Sequence, residues 1–476
     1  MKDSNLLRLL RVLTKKELRL LKKKLSNSGP QATALLLKEL LKSAPRFEPD
    51  SLDEKKIFKK LYPKEPFNKQ KLSYCKSNLY KEAQQLLAEE ELATDTILFQ
   101  RLLARRLQRR AGSGPFEDAM AGLERELLGI QNSFDYYLLD FDRHLLRLKH
   151  PETQKNQANL SPLKAARQSL DSAYLAWQLY FELERISRRR YLNEQLPGAL
   201  FPVGQLRELP LEYPPLVRLL FLAYKLYQAP DNRQQFANAF RALREMVSEI
   251  QPLERLELAR YLLNFCIAKY NSGVPSFLQS QMDIYQWGNE NGIFVIDKAI
   301  DHTIFINAVV TAAVANKLDF AASFIKNNQN FVEPGIRSDT VNLSQAYIHF
   351  RRGEYLEAEQ SLETIQAKEN YDFALRRQSL LLRAAYGQYI NHIADYTKVE
   401  ERCKAFRWFF QRDAYAVAEP RKEAYRNLEY FVRKLAWYHN QTERPSALKE
   451  TLLKELDTKP SVAKEWVKGE VASLPE

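Results

Sequence analysis

The chain has 476 residues, 45% hydrophobic and 28% charged, enough apolar material to bury a core over roughly two to four domains and to exclude disorder as the default. Its formal net charge is +13, and the first 110 residues alone carry 26 Lys and Arg against 13 Asp and Glu, so a basic head precedes an electrically balanced body. With 14 Gly against 24 Tyr and 25 Phe, and no apolar run near the ~18 residues of a bilayer span, the composition favours packed helices over phosphate-gripping loops or membrane helices.

Leu6, Leu7, Leu10 and Leu13 recur at helical spacing, while Arg8 and Arg11 interrupt the run and no small-residue cleavage site follows, which predicts an amphipathic helix and not a secretion signal. Thr14 followed by Glu17 predicts a capping box for a helix over 15–25, stopped by Ser28-Gly29-Pro30. Helices are expected next at 32–41 and 52–61, the second ended by Tyr62-Pro63. From Lys69 a longer helix follows, with Leu72, Cys75, Leu79, Ala83 and Leu86 as its buried stripe. Another covers 97–107, before the strongest local boundary, Ala111-Gly112-Ser113-Gly114-Pro115. Helical patterns resume at 116–128, 133–148 and 163–191, and the Pro-containing stretch 197–215 separates them from paired helices. The expected organisation is a basic helical domain at 1–110, a central helical region at 116–196, a degenerate helical-repeat domain at 216–440 and a helical cap or tail at 441–476.

The sharpest pair lies within 343–365, centred on Gly353-Glu354-Tyr355-Leu356-Glu357-Ala358. Gly353 allows a tight turn, Tyr355 fills the joint, Ala358 permits close helix approach, and Leu362 and Ile365 continue the packed face. This segment resembles the tetratricopeptide repeat, with Ala346 matching in the first helix and Asn370 where the repeat usually has Pro. A second copy, Leu318-Asp319-Phe320-Ala321-Ala322-Ser323, sets Leu318 in the place of Gly353 and Ser323 in the place of Ala358, 35 residues earlier, against a repeat of about 34. Further pairs are expected at 219–246, 253–285, 373–410 and 424–439. The fold class expected is therefore all-α, a divergent tetratricopeptide-like right-handed α-solenoid whose neighbouring repeats complete one another's cores. Over the whole chain, Lys15-Lys16-Glu17, Ile57-Phe58-Lys59-Lys60-Leu61-Tyr62-Pro63, Leu183-Glu184-Arg185 before Tyr191-Leu192-Asn193, and Lys464-Glu465-Trp466 resemble a family of cytoplasmic helical proteins of Bacteroidetes type, a resemblance that implies no catalytic residues.

Chemistry has few anchors. Cys75, Cys266 and Cys403 are widely spaced and read as reduced, buried thiols, no two His stand at i, i+4, and Glu357 and Glu359 read as carboxylates on a wet helix face. No catalytic residue, metal or cofactor is predicted, and the expectation is a non-enzyme in the cytoplasm, without integral membrane association.

The basic head is the stronger clue. Lys22, Lys23, Lys24, Lys55, Lys56, Lys59, Lys60, Lys69, Lys71 and Lys76 form a solvated surface that could contact an anionic partner, joined by Arg105 and Arg109 and by a separate cluster at Arg188, Arg189 and Arg190. Tyr62, Phe67, Tyr74 and Tyr80 interleave with the lysines and serve either the core or base stacking. In the repeat body, Tyr347, Phe350, Tyr371 and Tyr389 are core residues or aromatic anchors for a protein partner. Two functions follow: a protein-binding scaffold or adaptor using a helical-repeat surface, or a nucleic-acid- or ribosome-associated factor using the basic head.

Overall fold

Capping and apolar spacing act over a few residues, and the N-terminal helices form where those signals stand. In a computed structural model, which describes residues 4–47, 52–110, 114–155, 158–189, 212–228, 233–366, 371–413, 419–442 and 447–474, the described residues hold 23 α-helices and one isolated β-bridge, Ile296 to Ala299. The chain divides into two compact units, residues 1–129 with 142–166, and residues 130–141 with 167–476.

The first unit begins with α1 (Asn5–Val12), α2 (Lys15–Ser28), α3 (Gln31–Leu40), α4 (Glu54–Leu61) and α5 (Lys69–Thr94). The Thr14 box closes as expected: Glu17 N–H donates to Thr14 Oγ1 at 3.2 Å and Thr14 N–H donates to Glu17 at 2.6 Å. Helix α5 buries Leu72, Cys75, Leu79, Ala83 and Leu86, and the leucines of α1 to α3 close on that stripe. Helices α6 (Thr96–Leu107) and α7 (Gly114–Leu128) pack on each other, with Ala104, Phe116, Ala119 and Met120 buried beside Leu146. Of the break predicted at 111–115, residues 111–113 lie outside the described residues.

Helices α8 (Phe134–Leu148) and α10 (Ser161–Arg189), separated by the short α9 (Pro151–Lys155), contribute residues to both units. The second unit continues with α11 (Pro215–Gln228), α12 (Arg233–Met246), α13 (Pro252–Asn271), α14 (Phe277–Glu290), α15 (His302–Val314), α16 (Leu318–Asn328), α17 (Pro334–Arg352), α18 (Tyr355–Glu363), α19 (Tyr371–Ile390), α20 (Tyr396–Asp413) and α21 (Glu419–His439). Each helix from α11 to α21 packs on the next, and α11 also packs on α13, α15 on α17, α17 on α19 and α19 on α21. This sequential pattern is repeat-like: an amphipathic hairpin buries its apolar face by stacking on its neighbours. The pair expected at 424–439 is instead part of one helix, α21. Helices α22 (Leu448–Thr458) and α23 (Lys464–Ala472) bury Leu452, Leu456, Val467 and Val471 in the same core as α19 to α21.

Four successive hairpins turn on a left-handed residue just after their first helix: Gly273 at φ +93°, Asn316 at +56°, Gly353 at +79° and His392 at +58°. Of these four, only Gly353 carries the turn signal of the repeat pattern in the sequence. The structure also moves the register of the second copy. Asn316 takes the place of Gly353 and Ala321 that of Ala358, an offset of 37 residues and not 35, and both alanines are fully buried. Asn tolerates the left-handed conformation, so the turn persists without glycine. At Gly353, whose N–H bonds back to Phe350 O at 3.2 Å, Gly353→Ala is expected to cost about 1 kcal/mol of stability through its φ alone, read as a lowered denaturation midpoint; no change would remove the strain argument.

Candidate protein-binding groove

Sequence-predicted sites separate into exposed, paired and buried groups. In the first unit, α4 turns Ile57, Phe58 and Leu61 inward, which sends Lys55, Lys56 and Lys59 to solvent on its opposite face. Lys22, Lys23, Lys69, Arg105 and Arg109 are exposed as well. Lys24 pairs with Glu89 at 2.7 Å, Lys60 with Glu39 at 2.7 Å, Lys71 with Glu65 at 2.7 Å and Lys76 with Glu54 at 2.6 Å. Tyr74 is 69% exposed, whereas Tyr62 meets Phe58 at a tilt, ring centres 5.0 Å apart, and lies under the Lys71 ammonium at 4.0 Å. In the second unit, Arg188 pairs with Glu184 at 2.9 Å; Arg190 and the side chain of Arg189 lie outside the described residues.

The aromatic anchors predicted in the repeats lie deeper. Tyr347 and Phe350 are buried, Tyr389 is half-buried and the Tyr371 side chain lies outside the described residues. Tyr347 and Phe350 surround a residue the sequence reading passed over, Arg383, whose guanidinium lies 5.9, 5.2 and 5.8 Å from the ring centres of Tyr347, Phe350 and Trp466. Burial pulls Arg383 below the usual arginine range, and the rings supply the negative faces that hold it.

Glu357 is exposed but Glu359 is buried, against the wet-face expectation. Its carboxylate accepts from Lys398 Nζ at 2.6 Å, Arg402 at 2.6 Å and Gln388 at 2.8 Å. Burial opposes its ionisation, but those three donors outweigh it and hold the carboxyl below the usual range. The three cysteines are free and buried, with burial pushing Cys403 up to about 12. His349 is held by Glu354 at 2.6 Å. Among the described residues no cluster of His, Cys, Asp or Glu has the geometry to hold a metal, and no helix is long and apolar enough to cross a membrane.

A surface groove in the second unit combines aromatic and charged side chains. It lies between α12 and α14 and encloses about 650 Å³. Phe265 of α13 forms the foundation: it meets Phe236 at 6.4 Å and Phe277 at 5.5 Å, both buried. Above them Phe240 and Trp287, each half-buried, meet edge to face at 5.6 Å. Helix α12 presents Arg233, Ala237 and Arg241 at four-residue intervals, so the small Ala237 leaves a notch between two long cationic side chains. Arg244 follows one turn later, 5.8 Å from the Phe240 ring centre. Helix α14 supplies Ser280, Asp283, Trp287 and Glu290 at three- and four-residue spacing. One wall is therefore cationic and the other anionic, with aromatic edges between them.

Sequence reasoning missed this site because its two walls lie about 40 residues apart. A usable signal was present: the rows 233, 237, 240, 241, 244 and 280, 283, 287, 290 each place aromatic and charged residues on one helical face.

Taken together, fold and surface define an all-α, multi-helix protein with repeat-like packing of helix on helix. No protein-family model matches the chain, and no curated protein sequence matches it.

Proposed function

We propose that the second unit is a divergent tetratricopeptide-like right-handed α-solenoid and that the protein is a non-enzymatic scaffold binding a protein segment in the α12–α14 groove. The observation that carries the reading is the pair of half-buried aromatic residues, Phe240 and Trp287, between oppositely charged walls. Aromatic and Arg side chains around a desolvated notch are the usual energetic centre of a protein interface. The three free thiols support a reducing, cytoplasmic setting. In the basic head, the unpaired Lys55, Lys56 and Lys59 together with the exposed Tyr74 favour a second reading, contact with nucleic acid or ribosome.

Affinity capture from the native cytoplasm, with and without nuclease at two salt concentrations, separates the two. Three full-length proteins are compared: wild type, Trp287→Ala with Arg241→Glu, and Lys55, Lys56 and Lys59 all changed to Glu. The scaffold reading expects protein partners that survive nuclease and are lost from the groove variant. Partners lost with nuclease or head reversal but retained by the groove variant would replace it with the second reading.

A further inference from the structure

Resting on the scaffold reading, the geometry points to a specific partner chemistry: we propose that the α12–α14 groove takes an amphipathic helix with apolar anchors and an acidic flank. The argument is charge complementarity along a groove of fixed polarity. Arg241 and Arg244 are exposed, and neither has a carboxylate within 4 Å among the described residues; Arg233 hydrogen-bonds Ser276 Oγ. The exposed carboxylate Asp283, which accepts from Gln279 at 2.7 Å, lies on the opposite wall with Glu290. An acidic edge is therefore favoured along α12 and opposed along α14, so the walls fix the rotation of the bound segment about its own axis.

The spacing selects a helix. Arg233, Arg241 and Arg244 stand two turns and then one turn apart, about 12 and 4.5 Å along α12. A helix lying alongside has the same rise of about 1.5 Å per residue, so carboxylates eight and then three residues apart on one of its faces fall about 12 and 4.5 Å apart, in step with that row. Its apolar side chains at i, i+3 or i+4 enter the notch beside Ala237 and rest on Phe240 and Trp287, a helix-in-groove mode in which the aromatic floor gives affinity and the arginines give orientation.

The test uses the full chain and three matched synthetic helices of about 15 residues that share the same leucine anchors and carry Glu, Gln or Lys along one flank. Binding is read by fluorescence anisotropy of the labelled peptide, with circular dichroism as the check that every variant is folded. The Glu helix is expected to bind roughly tenfold more tightly than the Lys helix, with the advantage shrinking at high salt. Arg241→Glu with Arg244→Glu is expected to reverse the order, and Trp287→Ala to weaken all three. Equal binding of the three helices, or an order that survives the charge reversal, overturns the acidic-flank inference. If the Gln or Lys helix binds best and still depends on Trp287, the inference falls while the groove remains a protein-binding site. If no helix binds at about 0.1 mM, the inference falls, and the capture comparison with the groove variant decides the scaffold reading separately.

Discussion

Phe265→Ala is expected to destabilise the second unit by about 3–5 kcal/mol, the cost of emptying a large buried aromatic site that cannot collapse. The residue is 1% exposed on α13 and touches three other helices through ring contacts: Tyr227 of α11 at 5.6 Å, Phe236 of α12 at 6.4 Å and Phe277 of α14 at 5.5 Å. These helices come from neighbouring hairpins, so no single hairpin could close around the vacancy alone. Denaturant unfolding followed at more than one wavelength checks the prediction, because a chain with two units need not unfold in one step. Phe265→Leu, which keeps most of the volume, is expected to lose about 1 kcal/mol or slightly more. A loss below ~1 kcal/mol for the alanine variant would mean that the three rings repack, and that Phe265 is not the foundation of the groove. If it is, a folded Phe265→Ala protein also binds groove ligands more weakly, although Phe265 touches no ligand.

Glu359→Ala is the second large effect, about 2 kcal/mol, because it removes the buried carboxylate that Lys398 and Arg402, both half-buried, share, leaving Lys398 with Gln388 Oε1 at 2.7 Å and Arg402 with Glu363 at 3.1 Å. The loss measures the weakened pairing of the two cations and not the net worth of the cluster. Changing Lys398 and Arg402 to Met in the Glu359→Ala background is therefore expected to recover much of the stability, and a triple variant as unstable as the single one would refute this account. The pH dependence has a definite sign. The folded carboxyl titrates below its ordinary value of 4.5, so its stabilisation is complete above that pH and is lost as pH falls through the lower folded value. The stability gap between wild type and Glu359→Gln is expected to narrow on acidification below about pH 4.5 and to stay constant above it. A gap that widens on acidification would contradict the assigned direction. Glu429 behaves oppositely: burial pushes its carboxyl above the ordinary range, outweighing Arg407 and Arg433, so proton uptake favours the folded state there.

The head shows why charge composition alone could not define a surface. The excess of basic residues in the first 110 is a fact of sequence, but Glu54, Glu65 and Glu89 each engage one of the lysines counted in it and Glu39 engages two, Lys42 and Lys60. Lys76 meets Glu54 across 22 residues and Lys24 meets Glu89 across 65, distances over which no spacing rule applies. What survives as an unpaired cationic face is smaller, and Lys55, Lys56 and Lys59 of α4 are its most coherent part.

Many of the helices, buried stripes such as that of α5, and some helix ends were legible from residue order alone. The α5 stripe from Leu72 to Leu86, the Thr14–Glu17 box and the Gly353 turn all depend on groups within a few residues of one another, where backbone geometry permits few alternatives. Tertiary structure decided everything that depends on which faces meet. It moved the repeat register to 37 residues, because a turn can be made by Asn316 as well as by Gly353. It buried Glu359, because its three donors arrive from α19 and α20. It closed Tyr347 and Phe350 over Arg383, and it set α12 beside α14 to form a groove. A helical period fixes the direction of each side chain around its own axis, but the partner it meets is chosen by the packing of whole hairpins, and that choice is not local.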